Sequence, residues 1–153
     1  MFKLFAIVLL MVSAFSLESC KVEGCTDPDS VNYDASADTD DSSCEYEGNF
    51  VFWYNATTSE NLMAADAQSL TIYVDGKVIG SYATNVYFSS APTCSESSVV
   101  TAKKDLGSDK KKSFSYKVID DDDFTWWEGT IQYEANTCMS LKLDLSKSLK
   151  NKK

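Results

Sequence analysis

Six aspartates crowd one short stretch of this 153-residue chain: Asp27, Asp29, Asp34, Asp38, Asp40 and Asp41. Closely spaced carboxylates are what a hard cation takes, because Ca²⁺ gathers six to eight oxygens. Two readings stand for them. Asp34, Asp38, Asp40 and Asp41 converge with Asp27 or Asp29 around calcium, the one cofactor these residues suggest, or the stretch is a solvated acidic spacer. It is no EF-hand, since the central Gly and the closing Glu are missing. A second carboxylate pair, Asp120 and Glu128, has the chemistry of a glycosidase, which needs two acids about 5–9 Å apart in a cleft. No motif surrounds that pair. The chain has no His and no Arg, so it lacks the commonest general base near neutral pH and the planar fork that grips carboxylates and phosphates. These residues point away from an enzyme and assign no catalytic residue.

Cysteine carries the second line of chemistry. There are 5, an odd number for an exported protein. Export is implied by the start of the chain, where Lys3 is followed by an apolar run over 4–15 broken only by Ser13. That run is too short to span a bilayer and has the length of a signal-peptide core. It leads to Leu17-Glu18-Ser19-Cys20, which resembles the lipobox of bacterial lipoproteins. The resemblance implies removal of residues 1–19 as a signal peptide and acylation of Cys20, with palmitate-type chains holding the protein at an outer membrane or cell surface. The alternative is an ordinary secreted protein with Cys20 as a half-cystine. Lipidation of Cys20 leaves Cys25, Cys44, Cys94 and Cys138 for an oxidising compartment where disulfides persist. Three pairings exist. Local closure favours Cys25–Cys44 and Cys94–Cys138, because each pair lies inside one compositional region.

The charge divides the chain the same way. Residues 20–47 hold nine acids and one lysine, whereas residues 48–153 hold 13 acids and 12 lysines. The result is an acidic collar beside a nearly neutral body, without the basic stripe that nucleic acid requires. The collar runs Gly24-Cys25-Thr26-Asp27-Pro28 through Asn32-Tyr33-Asp34 to Asp40-Asp41-Ser42-Ser43-Cys44. It resembles a cysteine-bounded motif, G-C-T-D-P-x-A-x-N-Y-D-P-x-A-x-x-D-D-G-S-C, of secreted and surface proteins from Bacteroidota-type bacteria. It departs from that motif at Ser30, Ala35 and Ser42. So short and polar a segment builds no core, and a disulfide worth on the order of 3 kcal/mol is its expected staple. Val31 and Tyr33 are its sizeable apolar anchors, expected to pack on each other or on the body.

Residues 48–147 read as an all-β domain, a small antiparallel sandwich of about six to seven strands. Phe50-Val51-Phe52-Trp53-Tyr54 is a dense apolar strand. Leu70, Ile72 and Val74 alternate with polar or amphipathic residues at strand period, and Asp75-Gly76 is a hairpin signal. Short strands follow over 99–102, around Phe114, Tyr116 and Val118, and around Trp127, Ile131 and Tyr133. Met139, Leu141, Leu143 and Leu145 form the last one. Residues 59–67 fit either a helical turn or a loop. The Val74-Asp75-Gly76 hairpin, Trp127-Glu128-Gly129-Thr130 and the late Cys138 resemble the Ig-like or carboxypeptidase-regulatory-like modules of surface lipoproteins. That resemblance implies a binding or structural module, with a glycan or a surface protein as partner.

Parity places Cys138 on the outer face with Ser140 and Lys142, so its disulfide is expected outside the core. The same parity places Trp126 outward with Glu128 and Thr130. An outward Trp126 and Tyr73 make a platform on which a sugar or partner stacks, unless a loop or a lysine stem covers them. Asp120-Asp121-Asp122-Asp123 reads as a solvated hairpin tip, Lys110-Lys111-Lys112 as solvated, and residues 148–153 as a disordered basic tail.

Overall fold

The computed structural model describes residues 21–147. The expected signal peptide, Cys20 and the expected tail over 148–153 lie outside them. The body is a two-sheet sandwich of seven strands and one short helix. A three-stranded sheet has the order β6-β3-β9, and a four-stranded sheet the order β5-β4-β7-β8. The ranges are β3 Tyr46–Trp53, β4 Ser69–Val74, β5 Lys77–Ala83, β6 Thr101–Gly107, β7 Lys111–Asp120, β8 Thr125–Glu134 and β9 Cys138–Lys142, with α1 at Ala56–Ala64. Two strands of the collar, β1 Glu23–Gly24 and β2 Thr39–Asp40, pair in parallel. The body pairs are antiparallel except β3–β9, where the last strand returns in parallel beside the first body strand.

Aromatic side chains join the sheets. The rings of Phe50 and Tyr133 lie 5.3 Å apart, and those of Phe52 and Tyr116 5.5 Å. Leu70, Ile72, Val74, Leu106, Val118 and Leu143 fill the remaining core. This is the period-2 pattern of inward apolar residues expected of a half-buried sheet. Gly48 permits one close approach, since a Cβ there would stand 2.8 Å from the Glu134 carbonyl oxygen.

Local chemistry explains where elements start and turn. Asn55 caps α1 by accepting the Thr58 amide at 3.1 Å, so the helix starts earlier than the 59–67 segment suggested. Asp75 and Gly76 both take positive φ, 55° and 71°, the conformation a two-residue hairpin loop requires. Strand β6 extends well beyond the expected 99–102, because Lys104 sits on the inward phase between Ala102 and Leu106 and carries its ammonium out to Asp75.

The collar is docked on the body. Cys25 is buried, Asp27 accepts the Tyr46 hydroxyl at the start of β3, and Asp27 and Asp29 both meet Lys110 of the body. Lys110 is therefore an ion-paired residue, and Lys111 pairs with Glu134 at 2.6 Å; the lysine run is not simply solvated. Strand β3 continues across positions 47 and 48, so collar and body share a strand. Val31 and Tyr33 are exposed at 56 % and 46 %, and the collar is held by polar contacts and its disulfide instead.

Candidate functional site

The four described cysteines form two bonds, Cys25–Cys44 and Cys94–Cys138. The second lies on the outer face, with Cys138 exposed beside Ser140 as parity required. It ties the 89–100 loop to β9, helped by the Thr101 hydroxyl, which donates to the Cys94 carbonyl at 3.2 Å.

The six collar aspartates do not converge. Among the described residues no three Asp, Glu, Cys or His side chains are grouped so as to hold a metal ion. The reason is local. The Asp34 carboxylate accepts the Ser36 hydroxyl and amide, at 2.6 and 2.8 Å. Asp40 and Asp41 accept the amides of Ser42 and Ser43, and Asp38 accepts the Thr39 hydroxyl. Asp34, Asp40 and Asp41 thereby make side-chain-to-backbone turns, each bending its own segment, while Asp38 meets a neighbouring side chain. The Ser36 and Ser43 contacts hold the Asp34 and Asp41 carboxyls below the usual range. Asp27 is the exception that reaches across. It accepts the Asp29 amide at 3.0 Å and the Tyr46 hydroxyl at 2.8 Å, and it pairs with Lys110, which also reaches Asp29 at 3.4 Å. Lys110 foremost, then the Asp29 amide and the Tyr46 hydroxyl, draws its pKa down to about 2.

Trp126 is buried, not outward. Opposite β7, Val118 faces Trp127 and Ile119 faces Thr125. Trp126 is thus the extra residue of a β-bulge, and the bulge turns its side chain inward. Its indole N–H donates to Asp120 Oδ2 at 3.0 Å, while Asp120 Oδ1 accepts the amides of Asp122 and Phe124. Asp121 accepts the Gln68 amide at 2.8 Å. The 120–123 run is therefore more than a solvated tip, since its first residue is a buried hub that shapes the turn. A strand ending in Asp, followed by a turn and then Trp, was the available signal. Strict alternation holds only along an unbroken β8, which the bulge interrupts. Asp120 is buried in this hub, whereas Glu128 stands exposed on β8.

Tyr73 does lie on the outer face of the four-stranded sheet, where the register aligns it with Lys117 and Lys117 with Glu128. A shallow groove of about 540 Å³ is lined there by Tyr73, Ser115, Lys117, Glu128 and Thr130. The Lys117 ammonium sits 5.2 Å from the Tyr73 ring centre. Among the described residues no helix is long and apolar enough to cross a membrane. Comparison with family models, with curated proteins and with solved structures gives no match.

Proposed function

We propose that this chain is a lipid-anchored protein of the bacterial outer membrane or cell surface, whose β-sandwich is a non-catalytic binding or structural module. One observation carries the reading. The four cysteines after the leader are satisfied by two mutual bonds, so Cys20 is the one cysteine with no partner among the other four. It stands where the lipobox resemblance puts the acylated residue. Two or more acyl chains give stable anchoring, whereas one gives marginal binding. Labelling cells with radioactive palmitate tests this. Label on the wild-type protein and none on Cys20→Ser, which also loses its membrane fraction, is the expected result. An unlabelled wild-type protein removes the anchor.

The outer-face groove supports glycan binding as a second reading. The Ser115 and Thr130 hydroxyls with balanced Lys117 and Glu128 offer donors and acceptors without net charge, and a sugar stacks on the Tyr73 ring by displacing the flexible Lys117 side chain that lies over it. Titration with neutral oligosaccharides such as cellohexaose and maltohexaose tests it, with binding weakened at least tenfold by Tyr73→Ala. Binding that survives this substitution places the sugar elsewhere.

A further inference from the structure

Resting on the lipid-anchor reading, we infer that the collar is a rigid stand that fixes the orientation of the sandwich on the membrane, rather than a flexible tether. The first folded contact falls at Val22, whose carbonyl accepts the amides of Asp38 and Thr39 at 2.9 and 3.3 Å. Lys21 alone separates it from Cys20. Two residues span at most about 7 Å, so the anchor point stays beside β1 and β2. From there the structure is continuous into the body. The Cys25–Cys44 bond closes the collar, and Asp27 joins it to Tyr46 at the start of β3 and to Lys110 at the β6–β7 turn. The Asp29 and Val31 side of the collar lies along Glu47, Lys103 and Asn136. These body contacts gather at one end of the sandwich, where Tyr46 faces Gly107 and Lys111 faces Glu134.

The opposite end is set by the same register. There Trp53 lies beside Lys142, Ser69 beside Ala83, and β7 turns into β8 after Asp120. Helix α1 and the 84–88 loop close that end, with the Ser59 hydroxyl donating to the Thr84 carbonyl at 2.6 Å. Ten-residue strands β7 and β8 separate the two ends by roughly 30 Å. The acidic collar repels anionic headgroups, which favours an upright stance. The end bearing the exposed Met63, Val86 and Tyr87 then faces away from the bilayer and is the surface a partner meets first.

Lipidated protein reconstituted into phosphatidylethanolamine–phosphatidylglycerol vesicles tests this. A fluorescent donor is placed through an unnatural amino acid at Ser108 or at Tyr87, with a short-range acceptor on the lipid headgroups. Transfer several-fold stronger from position 108 than from 87 is expected, together with near-equal transfer once a long Gly-Ser linker is inserted between Lys21 and Val22. Equal transfer from the two sites without the linker, or stronger transfer from 87, overturns the rigid stand while leaving the anchor intact. Protein that does not float with the vesicles, read before any transfer measurement, overturns the anchor and the stand together.

Discussion

At Ser42 the backbone takes φ of 63°, a left-handed conformation that costs a non-glycine residue roughly 1–2 kcal/mol. The resembling motif carries glycine at this place. Ser42→Gly is expected to stabilise the collar by about 1 kcal/mol, read as slower amide exchange between 39 and 44. Asp27 gives a pH dependence with a definite sign. Its pKa falls from 3.8 in the unfolded chain to about 2 in the folded one, so its contribution is present above about pH 4 and is lost as pH drops toward 2. The difference in thermal midpoint between wild type and Asp27→Asn should therefore shrink over that window and stay constant above it. Tyr133 has a buried hydroxyl with no hydrogen-bond partner among the described residues, and burial raises its pKa. Removing that hydroxyl by Tyr133→Phe should stabilise the protein by about 1 kcal/mol or leave it unchanged, measured by urea unfolding.

The bulge in β8 shows how an element overrides its own pattern. Strict alternation sends Trp126 outward; one extra residue reverses it, and Asp120 is there to receive the indole N–H. Asp120→Ala leaves that donor and two turn amides without this acceptor, and a loss of about 2–3 kcal/mol is expected. Asp120→Asn should recover part of it. A quenched or shifted Trp emission in Asp120→Ala and not in Asp120→Asn would report the indole leaving its site. At Gly48 the constraint comes from another strand, because the nearest atom to an added Cβ is a backbone carbonyl that cannot swing aside. This close approach lies at the collar end, where the start of β3 meets the end of β8.

For the molecule as a whole, the two disulfides act on different things. Cys94–Cys138 spans 44 residues and Cys25–Cys44 spans 19, which by chain entropy corresponds to about 4 and about 3 kcal/mol. The first lies outside a core that is complete without it. Replacing both its cysteines by Ala should lower the body's thermal transition, preserve a cooperative fold, and make the 89–100 loop protease-sensitive. Replacing Cys25 and Cys44 should free the collar and uncover Tyr46, whose ring lies under the Lys110 ammonium. Because collar and body share β3, a fall in the body's transition accompanies that loss.

Much of this was legible in the chain itself. Alternation of apolar residues every second position identified the β class and most strands, since a sheet with one buried face demands it. The outward phase of Cys138 followed from the same period, and the Asp75-Gly76 turn from residue types that accept a positive φ. Both disulfides were favoured by closure within compositional regions. Tertiary structure decided what a period cannot express. The parallel return of β9 beside β3 and the docking of the collar through Asp27 onto Lys110 depend on partners more than eighty residues away, and the bulge at Trp126 depends on how β8 meets its neighbouring strand. The aspartates make the contrast plainest. Their spacing allowed convergence on a cation, but Asp34, Asp40 and Asp41 accept nearby backbone amides, Asp38 a neighbouring hydroxyl, and Asp27 and Asp29 meet Lys110, and those short contacts set where the carboxylates point.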